Sequence, residues 1–452
     1  MKILVVGCGK IGTTIIDSLS AEGHDVTAID RIPSVLEEIT NIYDVMGVCG
    51  NGADHDVLKE AGVENADLFV AVTDSDDNNM LSCFLARRLG ARHTIARIRN
   101  PEYNDQSLGF LKKNLGLSMA INPEQMAAQE LHDLLKFPSA VKVETFSQRN
   151  FEMIEFKLRE NSALDGLRLS EMRTQYKGKF LVCGVERGTE VYIPDGSFVL
   201  KSGDKIILTA TPSELQKLLR ELGVLQKKAR RVMILGGSRT AFYLARLLET
   251  AGNSVTLIEK DAALAQELSA QLTKTVVIRG DGSQQELLLE EDITAQDALV
   301  ALTGMDEENI LMSIFAASQN VPKVIAKINR DELAQLAESL GLESIVSPRK
   351  IVSDVLVRYA RALQNSMGSS METLYQLMDG KAEALEFLVR DEPGVVGIPL
   401  KDLNIKPNTL IGGIVRDRKT LIPTGNDMIL SGDRVVVLAA NQRLHDLSDI
   451  LK

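Results

Sequence analysis

The sequence predicts an α/β protein: two tandem Rossmann-like parallel-sheet domains, each followed by a small α+β domain. Three observations lead there. The chain repeats itself at a shift of 229 or 230 residues. Short apolar strands alternate with amphipathic helices through the first part of each repeat, and each first strand runs into a glycine-bearing turn.

The repeat is read from matched segments. Gly7-Cys8-Gly9 aligns with Gly236-Gly237-Ser238, and Asp30 with Glu259. Gly50-Asn51-Gly52 meets Gly280-Asp281-Gly282, Thr73 meets Thr303, and Ala96-Arg97-Ile98 meets Ala326-Lys327-Ile328. Further on, Ile193-Pro194-Asp195-Gly196 pairs with Ile422-Pro423-Thr424-Gly425, and Ser202-Gly203-Asp204-Lys205 with Ser431-Gly432-Asp433-Arg434. Within the first copy, strands are expected at Ile3–Val6, Val26–Ile29, Leu68–Val72 and Thr94–Arg97, with helices such as Thr13–Ala21 and Asn78–Leu89 between them. This alternation implies a parallel sheet covered on both faces. From about Val141 the pattern shifts to shorter strands with Gly, Pro and Asp turns, as in Phe180–Val185 and Ile206–Ala210. The second small domain is expected to start near Ala382.

Helices join the parts. Asn122-Pro123-Glu124 opens one running to about Lys136, with Pro at the permissive first position. Ser347-Pro348-Arg349 opens a longer counterpart, expected to continue through Met367-Gly368-Ser369-Ser370, with Met367, Met371 and Met378 as packing residues. Four domains follow: 1–136, 137–226, 227–366 and 367–452.

Composition narrows the partners. The 452 residues are 44% apolar and 25% charged, enough to build sizeable cores. A net charge of −11 argues against nucleic acid, which is held through clustered Lys and Arg. The compact basic cluster Lys227, Lys228, Arg230 and Arg231 precedes a strand and reads as a solvated linker. No apolar run approaches the roughly 18 residues a membrane helix needs, and the first residues run directly into a strand, so no signal peptide is expected. Cys8, Cys49, Cys83 and Cys183 lie far apart in sequence and read as unpaired buried thiols, with no metal site.

Gly7-Cys8-Gly9-Lys10-Ile11-Gly12 carries the chemistry. The first glycine permits a tight turn, the second lets backbone amides approach a pyrophosphate, and the third lets the helix pack on the strand. The helix N-terminus then faces the anion. Asp30, closing the second strand, is placed to accept hydrogen bonds from the adenosine ribose, which favours NAD(H) over its 2′-phosphorylated form; Arg31 beside it weakens that preference. The second copy, Gly236-Gly237-Ser238-Arg239-Thr240-Ala241, keeps only the first of the three glycines. Ser238 puts a side chain where phosphate would approach, while Glu259 preserves the acid and Arg239 offers a compensating charge. A working site and an empty or altered one both remain open there.

On these residues, together with Gly50-Asn51-Gly52-Ala53-Asp54, Val72-Thr73-Asp74, Asp77-Asn78-Asn79 and Ala96-Arg97-Ile98-Arg99, the chain resembles the TrkA-like peripheral regulatory subunits of Trk-type bacterial potassium uptake. The resemblance spans all four segments. It implies tandem RCK-type modules, with Asn51 and Gly52 bordering the adenine, Thr73 and Asp74 lying along the nucleotide, and Arg97 approaching from the next strand end. Asp281 and Thr303 would take the matching places in the second copy, with Lys327 in place of Arg97. It further implies binding of NAD(H), with ADP or ATP as competitors, and a homo-oligomer (dimer or tetramer) forming a ring. That ring would lie at the cytoplasmic face of a membrane-embedded potassium transporter, with no membrane insertion of its own.

An NAD-dependent oxidoreductase with a cryptic site is the competing class, since hydride transfer needs a proton donor or acceptor beside the nicotinamide. The five histidines, His24, His55, His93, His132 and His445, recur in neither copy and sit in no recognisable catalytic motif. Asp54 and His55 read as a turn residue and an exposed ring. A ligand-free assembly scaffold is the third class, and retention of Gly7, Gly9, Gly12 and Asp30 counts against it.

Overall fold

A computed structural model describes residues 1–452 except 102, 104, 137–140, 147–150, 160–161, 177, 223–227, 366–369, 391, 393, 418 and 445; at 105, 142–145, 151, 365 and 379 it describes backbone alone. The chain divides into two compact units, Met1–Gln129 with Ser347–Arg361, and Glu130–Val346 with Ala362–Lys452.

The first unit is built on six parallel strands: β1 (Lys2–Val6), β2 (Asp25–Asp30), β3 (Met46–Cys49), β4 (Leu68–Ala71), β5 (His93–Arg97) and β6 (Met119–Ile121). They lie in the order β3-β2-β1-β4-β5-β6. The helices between them are α1 (Lys10–Ala21), α2 (Pro33–Ile42), α3 (His55–Glu60), α4 (Asp76–Leu89) and α5 (Asp105–Leu115), followed by α6 (Pro123–Lys136). All four residues of β4 are buried, as expected of a central strand covered on both faces. The order reverses between β1 and β4, which opens a crevice at the carboxyl ends of the strands.

The second unit contains a sheet of the same order, β14-β13-β12-β15-β16-β17. Its strands are β12 (Arg231–Leu235), β13 (Ser254–Glu259), β14 (Thr275–Arg279), β15 (Ala298–Ala301), β16 (Lys323–Lys327) and β17 (Ile345–Val346). Helices α9 (Arg239–Thr250), α10 (Ala262–Gln271), α11 (Gln285–Glu290), α12 (Asp306–Ser318) and α13 (Asp331–Ser339) repeat those of the first. Two five-stranded antiparallel sheets complete this unit. One, ordered β10-β9-β11-β8-β7, uses β7 (Lys142–Phe146), β8 (Phe151–Lys157), β9 (Phe180–Arg187), β10 (Glu190–Tyr192) and β11 (Lys205–Ala210), with helices α7 (Leu169–Gln175) and α8 (Pro212–Glu221). The other, ordered β18-β19-β22-β20-β21, uses β18 (Met371–Leu377), β19 (Ala382–Leu388), β20 (Thr409–Arg416), β21 (Lys419–Leu421) and β22 (Arg434–Ala440).

The repeated Ser-Gly-Asp segments have a structural task. Arg187 reaches Asp204 through two hydrogen bonds of 2.8 and 2.7 Å, and Arg416 reaches Asp433 through two of the same lengths. Both aspartates are 1% exposed. A buried carboxylate is tolerated because a bidentate guanidinium holds it. The two small sheets share a core in which Met153, Cys183 and Ile207 meet Met378, Ala384 and Leu438. Thr209 Oγ1 donates across it to the Gly412 carbonyl at 3.2 Å.

Three expectations need correction. The near-helical spacing of the later methionines is not helix: α14 spans Pro348–Asn365, residues 366–369 lie outside the described residues, Met371 starts β18, and Met378 is buried at the end of that strand in a single 3-10 turn. Met367 lies outside the described residues. The sheet of the second small lobe accordingly begins at Met371, ahead of Ala382. Cys49 is exposed, whereas Cys8, Cys83 and Cys183 are buried; all four are unpaired, and burial pushes the Cys8 and Cys183 thiols up to about 12. A difference between the copies also appears. Thr211 caps α8 ahead of Pro212, whereas Asn441 follows β22 at φ +57 and is followed by only a short 3-10 turn at Leu447–Ile450.

Helix α14 packs within the first unit through Val352, Leu356, Val357 and Ala360, all at most 1% exposed. Arg361 near its end binds Glu22, just past α1, through bonds of 2.5 and 2.8 Å, with side chains 5% and 7% exposed. Removing one partner of such a buried pair costs about 3–5 kcal/mol. Denaturant unfolding of Glu22→Gln is expected to show a loss of that order, and an unchanged midpoint would contradict this role.

His24 lies beside this pair, 7% exposed, with both ring nitrogens lacking a hydrogen-bond partner. Burial, reinforced by the N-terminal ammonium, lowers its pKa below the ordinary 6.5. The unfolded chain therefore takes up the extra proton first, so this contribution to stability is complete above pH 6.5 and is lost as pH falls below it. His93 and His132 are shifted the same way by burial. His24→Leu is expected to flatten, without abolishing, the fall in stability below pH 6.5.

Candidate functional site

The turn from β1 into α1 is set by backbone contacts that leave no room for side chains. Gly7 adopts φ +92, and a Cβ on it would lie 2.8 Å from the Thr73 nitrogen just beyond β4. A Cβ on Gly12 would fall 1.8 Å from the Gly7 carbonyl oxygen. The first turn of α1 is thus pressed onto the end of β1. Gly9 is the N-cap residue, in extended conformation and with no side-chain cap. No heavy atom lies within 4 Å of where its Cβ would be. The first turn of α1 thus has no side-chain cap and open room above Gly9, the arrangement in which a helix N-terminus can receive an anion.

Around this junction the structure brings together most of the residues singled out in the first copy. The Asp30 carboxylate accepts from the Cys8 amide at 2.7 Å and the Ile32 amide at 3.0 Å, and is half-buried. Arg31 donates to Asn51 Oδ1 at 2.7 Å, joining the ends of β2 and β3. Gly52 is buried against Val6. Thr73 packs on Gly7. Lys10 and Asp74 are exposed and Ile11 is half-buried. Asp54 caps α3 by accepting from Asp56 and Val57, and His55 is 58% exposed, which gives both a local role.

Arg97 is placed differently from a solvent-facing ion pair. Its side chain is only 12% exposed, its NH2 lies 3.4 Å from Glu124 Oε1, and its Nε has no hydrogen-bond partner. Burial pulls the guanidinium below its ordinary pKa, with Glu124 opposing. A largely desolvated cation with spare donors at the carboxyl edge of a sheet suits a ligand oxygen.

Asn79, part of the Asp77-Asn78-Asn79 segment, takes its role from the geometry. Fully buried, it accepts through Oδ1 from the Thr73 amide at 2.8 Å and the Thr73 hydroxyl at 2.6 Å. Its Nδ2 donates to the carbonyls of Thr73 and Arg97 at 3.2 and 2.9 Å. One amide therefore ties the end of β4 to the end of β5. Asp76 Oδ2 adds bonds of 2.8 Å to the Arg99 and Asn100 amides. Asn309 and Asp306 repeat both arrangements at a shift of 230. That shift was the sequence signal available for these residues.

In the second copy, Gly236 lies against Thr303, at φ +88. Glu259 is 8% exposed, with its oxygens 2.5 Å from the Gly237 amide and 2.7 Å from the Asp261 amide. Ser238 caps α9, Arg239 is exposed, and Asp281 accepts from the amide and hydroxyl of Ser283, which hold its carboxyl below the ordinary range. Lys327 points Nζ at the Leu302 carbonyl, 3.3 Å away.

Two parallel sheets of Rossmann order, each with a glycine turn at its switch point and an acid closing the neighbouring strand, define a tandem dinucleotide-fold protein. The TrkA-N domain model matches residues 3–123 and 232–348, and the TrkA-C domain model matches 153–223 and 384–452. The Trk system potassium uptake protein TrkA homolog of Archaeoglobus fulgidus is 33% identical over 452 residues, covering all of both chains. TrkA of Vibrio alginolyticus is 31% identical over 449 residues, 98% of this chain and 96% of that one. The chain belongs to the Trk system potassium uptake protein TrkA family. Among solved structures, the GsuK channel bound to NAD shares the fold at TM-score 0.64 and 17% identity, over 97% of this chain and 76% of that one. The GsuK RCK domain does so at TM-score 0.64 and 18% identity, over 97% and 92%.

Replacing Asn79 by Leu strands two donors and two acceptors in a buried site and is expected to cost about 3 kcal/mol or more. Asn309→Leu should cost a similar amount. Denaturant melts of the two variants check this, and a loss confined to one would break the equivalence of the clamps.

Proposed function

We infer that the chain is a cytosolic regulatory subunit of a Trk-type potassium uptake system and that its first lobe senses an adenine nucleotide. The observation that carries this reading is the uncapped first turn of α1 at Gly9, open at the β1/β4 switch point, with Asp30 beside it. In this reading Gly7, Cys8, Gly9, Lys10, Ile11 and Gly12 cradle a diphosphate with main-chain amides, and Asp30 takes the ribose hydroxyls. Arg31, Asn51 and Gly52 border the base, while Thr73, Asp74 and Arg97 line the remaining phosphates or the second nucleoside. NAD(H), ADP and ATP share the moiety these groups contact. Gly236, Ser238, Arg239, Glu259, Asp281 and Thr303 hold the corresponding places in the second lobe. The four segments 1–136, 137–226, 227–366 and 367–452 are the functional parts.

No described helix is long and apolar enough to cross a membrane, so the reading places the transporter on a separate, membrane-embedded subunit. Ring assembly is supported by apolar side chains left exposed on matching helices. Leu81 on α4 and Phe110 on α5 are 50% and 68% exposed; Leu311 on α12 and Leu336 on α13 are 61% and 51% exposed. In this reading these exposed side chains face other copies of the chain. Nucleotide acts by its differential affinity for two states of that assembly; moving 1:99 to 99:1 needs about 5.5 kcal/mol, which several sites reach together.

Titration of the purified chain with NADH, NAD, ADP and ATP is expected to show binding without turnover, weakened by Asp30→Ala. Consumption of NADH across a metabolite panel would point to an oxidoreductase, and failure of every nucleotide to bind would leave a scaffold. Sedimentation of Leu81→Asp/Leu311→Asp should show smaller assemblies than the unaltered chain; equal sizes would remove these helices from the interface.

A further inference from the structure

We propose that the second cleft is capped from within and takes no dinucleotide or nucleoside diphosphate, so that each chain binds one nucleotide, in its first lobe. This rests on the reading of the first cleft above and adds that the two copies have diverged into a sensing lobe and a fixed one.

The comparison is position by position. At Gly9 the space above the first turn of α1 is open. At Ser238, the matching residue, a Cβ stands on that face and Oγ lies 3.4 Å from the Ala241 amide. The hydroxyl can rotate away, but no rotamer removes the Cβ. Gly12, whose lack of a side chain lets α1 press against the Gly7 carbonyl, is replaced by Ala241, which is fully buried. In the first copy an added methyl at this position would sit 1.8 Å from that carbonyl. The turn into α9 therefore cannot repeat the close backbone geometry that aims the first-turn amides in α1.

The acid keeps its partners but is more deeply buried. Asp30 is short, half-buried and ends β2 beside the turn into α1. Glu259 is one methylene longer and holds the two matching amides, Gly237 and Asp261, as Asp30 holds Cys8 and Ile32, but it is only 8% exposed. It fits there because Gly237 replaces Cys8: a Cβ at 237 would lie 2.9 Å from Glu259 Oε2 and 2.5 Å from a methyl of Leu268. The Gly237–Glu259 pairing is thus a packed unit that leaves the carboxylate less accessible than Asp30. The cation differs too: Lys327 directs Nζ to the Leu302 carbonyl, whereas Arg97, paired with Glu124, keeps its Nε without a partner. Through all this the fold-holding parts are unchanged: Thr303 against Gly236, and the Asn309 clamp. The second lobe has kept what builds the sheet edge and altered what would face a ligand.

Equilibrium dialysis of the full chain with labelled ADP, and separately with labelled NAD, tests this. The expected result is one nucleotide per chain, none in Asp30→Ala, and still one in Glu259→Gln. Hydrogen exchange on the unmodified chain gives the same answer without a variant: ADP should slow exchange in the first turn of α1 and leave that of α9 unchanged. Two nucleotides per chain, falling to one in Glu259→Gln, or protection of α9 by ADP, would overturn the inference while the first-cleft reading stands. No binding at all would sink both.

Discussion

Everything at the candidate site depends on two backbone segments touching with nothing between them. The chain leaves β1, turns at Gly7 against the Thr73 backbone, and enters α1 with Gly12 lying on the Gly7 carbonyl. Because no Cβ intervenes, the helix axis is brought down onto the switch point of the sheet, and its unpaired amides point into the crevice. The same closeness fixes Asp30, since the Cys8 amide that binds its carboxylate belongs to that turn. A substitution at Gly7 or Gly12 therefore acts on helix position, acid position and crevice width together.

Duplication separates scaffold from ligand chemistry inside one chain. Features repeated with near-identical geometry are structural: the Arg187–Asp204 and Arg416–Asp433 forks, and the Asn79 and Asn309 clamps with their aspartate partners. Each satisfies a buried polar group whose exposure or loss would be costly. Features that differ between copies gather where a nucleotide would lie: Gly9 against Ser238, Gly12 against Ala241, half-buried Asp30 against buried Glu259, Arg97 against Lys327. That contrast gives an internal control that a single-copy protein lacks. Selection on folding acts on both lobes alike, so divergence within the crevice points to the ligand.

Much of the architecture was legible in the sequence because its signals are local. Strand and helix periods, the glycine turn, and the acid closing the second strand can all be read within short windows, and the strands near Val26–Ile29 and Thr94–Arg97 lie where the pattern put them. What escaped depends on distant contacts or on competition between patterns. Methionines 367, 371 and 378 suggested a continuing helix, yet Met371-Glu372-Thr373-Leu374 pairs with β19 because sheet packing outweighs weak helix propensity. The burial of Arg97 against Glu124, and the pairing of Arg361 with Glu22 across more than three hundred residues of chain, have no local signature. Nor does a sequence show whether a serine at an N-cap faces a ligand or its own helix. At the crevice the sequence named the residue positions, and three-dimensional packing supplied their orientation.

A structure of the full chain determined with ADP bound measures the central claim most directly. The account predicts diphosphate oxygens within about 3 Å of the first-turn amides of α1, with the ribose hydroxyls on Asp30. ADP found elsewhere, with those amides facing only solvent, would contradict it.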